Sequence, residues 1–304
     1  MRASSHRSVA SILLPTDFQQ PARRACTYAL KLANIYGARL KIVHVIKTLS
    51  ESSQVSPDHR SLDSIKTSAL LELGRLTRLA QDAGIHAEPR LLYGIPGDCI
   101  LEAAARVNAG LIVMGTHGRM GWDRLRLGST AQAVVRKASC PVLTLQDVVA
   151  RDSFRHHAKV SLARLLVATD FSSCADAALR YVSGLALRLK AQLHLVHVSE
   201  EGTAQEGGKR KLKRLLRRLE EDGMEASGIS LPGDPLSMIL KQAEQWQADV
   251  IVAGTQGRRG LSRLLLGSVA EGLLGRAACP VLIVRKASHP LSLIDHPPRS
   301  VESR

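Results

Sequence analysis

Long hydrophobic runs are missing from this 304-residue chain. No apolar stretch approaches the roughly 20 residues that cross a bilayer. The early run from Val9 to Leu14 leads straight into Pro15-Thr16-Asp17 and is too short for a signal peptide. Cysteine is sparse: Cys26, Cys99, Cys140, Cys174 and Cys279 are odd in number and contain no Cys-x-x-Cys. That speaks against a disulfide framework and against a structural zinc site, and it fits a reducing cytoplasm. Aromatics are scarcer still, with three Phe, two Trp and four Tyr, too few for RNA recognition by base stacking. The histidines are scattered, so no metal site of the chain's own is expected. Also missing are a Gly-x4-Gly-Lys-Ser/Thr P-loop, a Ser-Gly-Gly-x-Asp-Ser pyrophosphatase loop and a His-x-Gly-His adenylyl-transfer motif.

What remains is an ordinary globular composition, 45% hydrophobic and 23% charged, with a net charge of +15. The excess is spread evenly, net +8 over residues 1–150 and net +7 over the rest. The densest basic run, Lys209 to Leu219, carries leucines at 212, 215, 216 and 219, the stripe of an amphipathic helix with a solvated cationic face. A nucleic-acid or membrane partner is therefore not expected.

The sequence repeats itself. Ser11 to Phe18 (SILLPTDF) recurs as Arg164 to Phe171 (RLLVATDF), and Leu40 to Val45 recurs as Leu193 to Val198, both at an offset of 153. Farther along, Ile112 to Arg119 (IVMGTHGR) recurs as Ile251 to Arg258 (IVAGTQGR), and Leu127-Gly128-Ser129 as Leu266-Gly267-Ser268, both at an offset of 139. Cys140-Pro141-Val142-Leu143 matches Cys279-Pro280-Val281-Leu282, while Pro96-Gly97-Asp98 pairs with Pro232-Gly233-Asp234 at 136. Two fused copies of one domain account for this: domain one over residues 1–146, a linker over 147–160, domain two over 161–286, and a loose tail over 287–304.

Each copy alternates short apolar strands with helices. In the first, strands are expected at 9–14, 39–46, 87–93, 110–114 and 141–145. Helices are expected at 21–36, 62–83, 96–108 (capped by Pro96-Gly97-Asp98) and 129–138; the second copy has a helix compressed to about 208–222. The fold class is α/β: two tandem Rossmann-like domains, each with a mainly parallel sheet covered on both faces.

In such sheets ligands sit beyond the carboxyl ends of the strands. Asp17, Val45, Gly115 and Gly118 collect there, and Gly128-Ser129-Thr130 opens the last helix. Glycines admit phosphate oxygens to the backbone, and free amides at a helix start favour anions. A hydroxyl at the N-cap can add a donor. Asp17 could accept from ribose hydroxyls or an exocyclic amine. The same residues also suit turn glycines, an ordinary N-cap and a capping aspartate, but their recurrence with one spacing in both copies favours a nucleotide site. His44 and His197 read as packing residues, and Cys140 and Cys279 as buried and inert thiols.

The spacing Gly-x2-Gly-x9-Gly-Ser, at Gly115/Gly118/Gly128/Ser129 and Gly254/Gly257/Gly267/Ser268, resembles the ATP-binding signature of the universal stress protein family. The Pro-Thr-Asp-Phe, the His-Val and the closing Cys-Pro-Val-Leu are similar to that family too. The resemblance implies a five-stranded parallel sheet in each copy, pairing of the domains through their last strands, and ATP with its Mg²⁺ arriving on the nucleotide. It leaves a further homodimer and a protein partner open. The ATP-binding residues it implies are Asp17, Val45, Gly115, Gly118, Gly128, Ser129 and Thr130 in the first copy. In the second they are Asp170, Val198, Gly254, Gly257, Gly267, Ser268 and Val269. No catalytic residue is implied; the expected role is a cytoplasmic, nucleotide-dependent stress regulator with little or no ATP turnover. Ala168 in place of Pro15 and Gln256 in place of His117 are the departures in the second copy.

Overall fold

A computed structural model describes residues 9–48, 59–116, 127–146, 160–199, 205–256 and 266–286. Most of the expected linker, the tail, Gly118, Gly257 and His117 lie outside the described residues. The first half runs β1 (Ser11–Pro15), α1 (Gln20–Tyr36), β2 (Arg39–Lys47), α2 (His59–Asp82), β3 (Ala87–Gly94), α3 (Pro96–Arg106), β4 (Leu111–Gly115), α4 (Ser129–Lys137) and β5 (Val142–Leu145). The second half repeats the order with β6 (Arg164–Ala168), α5 (Ser173–Leu189), β7 (Gln192–Ser199), α6 (Gln205–Glu221), β8 (Ala226–Pro232), α7 (Pro235–Gln245), β9 (Val250–Gly254), α8 (Ser268–Arg276) and β10 (Val281–Val284).

All ten strands form one sheet in the order β3-β2-β1-β4-β5-β10-β9-β6-β7-β8. Within each half every pairing is parallel; the single antiparallel ladder joins β5 to β10, with Leu143 opposite Leu282 and Thr144 opposite Val281. The Thr144 hydroxyl donates to the Val281 carbonyl at 3.1 Å across that seam. Alternation along the strands builds two cores. Ile12, Leu14, Leu143, Leu165 and Leu282 face one side, against α1, α2, α5 and α6; Leu13, Ile112, Val142, Leu166 and Ile283 face the other, against α3, α4, α7 and α8. Both cores run across the seam, so the halves share their interior. This is why strands such as β1 are apolar at successive positions: both faces are covered.

Helix ends follow local chemistry. Gly37 (φ +61°) closes α1 by donating its N–H to Ala33 and Asn34. The second copy reaches the same left-handed cap with Lys190 at φ +51°. Two sequence expectations need correction. Pro96-Gly97-Asp98 does not cap α3: Ile95 is the N-cap, Pro96 opens the helix and Asp98 lies in its first turn. Nor does that triplet match Pro232-Gly233-Asp234, because β3 and β8 pair in registers that equate Ala87 with Ala226. The helix-opening counterpart of Pro96 is Pro235, and of the N-cap Ile95 it is Asp234. The offset is thus 139 from β3 onward. The 14-residue deficit of the second copy falls in the loop after β7 and in α6, which has 17 residues where α2 has 24.

Candidate functional site

Four chain segments meet at the carboxyl edge of each half-sheet, and the two halves build them alike. After β1 the Thr16 hydroxyl accepts from the Phe18 N–H at 3.0 Å, and Asp17 Oδ1 accepts from the Gln19 N–H at 3.0 Å. The second copy repeats this with Thr169 to Phe171 at 3.1 Å and Asp170 to Ser172 at 3.0 Å. The turn forces Phe18 and Phe171 into left-handed backbone, φ +66° and +61°, a conformation that these side-chain bonds hold in place. Neither aspartate caps the following helix; the N-caps are Gln19 and Ser172.

The histidine ending each apolar strand locks that turn. His44 Nδ1 donates to the Thr16 carbonyl at 2.8 Å and its ring stacks on Phe18 at 4.5 Å. His197 Nδ1 likewise donates to the Thr169 carbonyl at 2.9 Å, with its ring tilted against Phe171 at 4.5 Å. Both imidazoles therefore position the aspartate turn.

The glycine loop is tied at both ends. Thr116 N–H donates to Leu145 at 2.9 Å and Gly128 N–H to the Thr116 carbonyl at 2.9 Å; Thr255 to Val284 (3.1 Å) and Gly267 to Thr255 (2.8 Å) repeat the knot. Here too the sequence reading is corrected: Gly128 and Gly267 are the N-caps, so Ser129 and Ser268 sit at the first helical position. The first turns of α4 and α8 thus begin with no side-chain cap at the N-cap position. Gly115 and Gly254 also meet a packing demand. A β-carbon at Gly115 would lie 2.8 Å from Pro21 Cβ and 3.0 Å from Ala22 N; at Gly254 it would lie 2.8 Å from the Cys174 carbonyl carbon. These glycines let the start of the next-door helix pack on the strand end.

In the second half these parts enclose a cavity of about 920 Å³, at the upper end of the usual range for small-molecule sites. Its lining includes Asp170, Val198, Gly254, Gly267, Ser268 and Val269. Asp17, Val45, Gly115, Gly128, Ser129 and Thr130 hold the corresponding places at the ends of β1, β2 and β4 and the start of α4 in the first half. Among the lining residues that the sequence reading did not assign to the site are Gly208, Lys211, Asp234 and His197. Gly207-Gly208 at the start of a basic helix was a readable signal, since glycine weakens a helix unless something needs the room. Lys211 Nζ lies 5.8 Å from the Phe171 ring centre. The Asp234 carboxylate accepts from the Ser237 N–H at 2.8 Å, which holds it below the usual carboxylate range. Among the described residues no group of three or more His, Cys, Asp or Glu could hold a metal ion, and no helix is long and apolar enough to cross a membrane.

The universal stress protein family model matches residues 9–146 and 162–285. A universal stress protein of Methanocaldococcus jannaschii is 33% identical over 137 residues, 44% of this chain and 81% of its own length. One from Thermus aquaticus is 36% identical over 141 residues, 45% of this chain and 98% of its own. The crystal structure of a universal stress protein from Archaeoglobus fulgidus aligns with a TM-score of 0.74 at 25% identity, over 92% of this chain and all of that one. With family matches covering both halves of its continuous sheet, this chain belongs to the universal stress protein family and carries two of its domains in tandem.

Proposed function

We propose that the protein is a cytoplasmic stress-response regulator that binds ATP in each half and holds it with little turnover. The observation that carries this reading is the second-half cavity, whose lining includes six of the seven residues expected there from the glycine-loop resemblance. The chemistry of the lining fits the ligand. Asp170 is placed to accept from ribose hydroxyls or the adenine amine, beside the Val198 backbone. Gly267, Ser268 and the free amides of α8 are suited to phosphate oxygens. Mg²⁺ would arrive with the nucleotide and supply charge neutralisation there.

Retention rather than hydrolysis is part of the proposal, and the histidine in the lining supports it. Phosphoryl transfer needs an oriented water and a group to accept or steer its proton. His197 has its Nδ1 committed to Thr169, and its Nε2 faces the closely packed Gly208. Native mass spectrometry and calorimetry with ATP test the reading together. Near two ATP per chain, with single-turnover hydrolysis far slower than about 1 per second, is the expected result. Absence of binding by ATP, ADP and AMP would overturn it, and rapid turnover would convert it to an enzyme.

A further inference from the structure

The two outer edges of the ten-stranded sheet have opposite characters. Every large apolar side chain found exposed among the described residues lies between positions 62 and 95 of the first half, five of them on α2. Leu71, 64% exposed, projects farthest; Leu70 and Leu79 are about half exposed. The same helical positions of α6, at the offset of 139 set by the β3 and β8 registers, carry Arg210, Lys209 and Arg218. One pseudo-equivalent helix thus shows leucine to solvent where the other shows cations.

Gly74 supplies a second observation. It lies in the interior of α2, where glycine weakens a helix relative to alanine, and a β-carbon there would meet nothing within 4 Å. Nothing within the described chain requires the gap. It stands one turn from Leu71 on the same exposed face, and Leu71 is at the middle of the 24-residue helix.

We propose that α2 is a self-association surface, on which a second copy of this chain docks its own α2 antiparallel about a two-fold axis through Leu71. Charge favours this occupant. From 62 to 82 the helix carries three acids (Asp63, Glu72, Asp82) and three bases (Lys66, Arg75, Arg78). Antiparallel crossing at Leu71 brings Arg78 opposite Ser64 and Asp63 of the second copy. Gly74 admits the facing helix, whose Leu71 packs against the first. Pairing α6 with α6 would confront two helices that each carry seven bases against three acids, and laying α2 on α6 would cover lysines and arginines with leucine. A closed two-fold dimer also keeps the cationic edges apart, since nine strand spacings put each α6 roughly 43 Å from its own α2. A helix about 36 Å long offers roughly 400 Å² per copy, half of a standard interface, so the dimer is a micromolar one.

Sedimentation velocity of the full chain from about 1 to 100 μM tests it, in a range where such a dimer dissociates. Concentration-dependent dimerisation is expected. Gly74→Leu, which has open space in the monomer, should weaken it at least about tenfold while leaving the circular dichroism spectrum unchanged, and Leu71→Glu should act likewise. Arg210→Glu on α6 should leave the equilibrium where it was. Leu71→Cys should give an oxidised cross-linked dimer, because the two α-carbons would lie within disulfide reach of about 7 Å. A chain that stays monomeric throughout, a dimer indifferent to Gly74→Leu, or failure of Leu71→Cys to cross-link would each overturn the proposal.

Discussion

A β-carbon at Gly208 would stand 2.7 Å from Nε2 of His197, closer than real side chains approach. The imidazole cannot move aside cheaply, because Nδ1 is bonded to Thr169 and the ring rests on Phe171. Gly208→Ala should therefore push α6 off the cavity wall or tilt the histidine and loosen the Asp170 turn. The expected loss is about 1–3 kcal/mol of stability together with weaker nucleotide binding in the second half. Urea denaturation and calorimetry of this variant check both; unchanged values would mean the helix start is more pliable than its packing implies.

Gly115→Ala and Gly254→Ala separate packing from ligand contact. Each added methyl would meet backbone atoms, Ala22 N at 3.0 Å in one case and the Cys174 carbonyl carbon at 2.8 Å in the other. Both variants should lose about 1–3 kcal/mol with or without ATP present. Loss seen only with nucleotide would return these glycines to the phosphate role first read into them.

Much of this was legible beforehand because repeated chemistry leaves repeated letters. Thr16-Asp17-Phe18 and Thr169-Asp170-Phe171 recur because the hydroxyl, carboxylate and left-handed phenylalanine form one hydrogen-bonded turn. The histidines recur because they lock it. Less legible was which of two similar triplets is equivalent. Pro96-Gly97-Asp98 and Pro232-Gly233-Asp234 share letters, yet backbone register equates Pro96 with Pro235, and only a sheet fixes register. Gly115 has a second explanation. Glycine marks close approach, but the letter does not say whether a phosphate or the first turn of α1 comes close. Lys211 could not be assigned to the pocket at all, since its place depends on how α6 is tilted.

Stability should fall on the alkaline side. Burial pushes the Cys26 thiol up to about 11 and those of Cys140 and Cys279 up to about 12, and it raises Tyr28 to about 12. In the unfolded chain the thiols ionise near pH 9 and the phenol near pH 10, so between there and pH 12 the unfolded state loses protons that the folded state keeps. Stabilisation by these neutral groups is full below about pH 8.5 and is lost as pH rises through that window. Urea midpoints from pH 8 to 11 should decline steadily. Replacing Cys140 and Cys279 together by alanine should flatten the decline, though with a lower starting stability.

The seam between β5 and β10 should hold the halves as one cooperative unit. Both strands are paired on each side, so a proline in either removes a ladder bond whichever way its N–H points. Leu143→Pro and Ile283→Pro should each cost more than about 2 kcal/mol and split the unfolding transition in two. Small-angle scattering should record a larger radius. A single transition at unchanged dimensions would show that the shared cores, rather than the seam, join the halves.

The two proposed nucleotide sites should differ in their response to salt. Lys211 lines the second cavity and sits over Phe171, whereas the equivalent position of α2 is Glu72, which pairs with Arg75 at 2.7 Å. The helices thus present opposite charges at one place in the pseudo-symmetric sites, a difference of two units. For a Mg²⁺-bound nucleotide of charge about −2 at roughly 10 Å, that difference amounts to about 1.7 kcal/mol in unscreened water and about 0.5 kcal/mol at physiological ionic strength. The second site should bind ATP roughly twofold more tightly on this ground, and its advantage should shrink as salt is added. Lys211→Glu should erase it, and Glu72→Lys should raise the affinity of the first site. Calorimetric titration of both variants at low and high salt separates this electrostatic effect from pocket shape. If Lys211→Glu changes neither affinity nor salt dependence, the lysine is held on the phenylalanine ring and out of reach of the ligand.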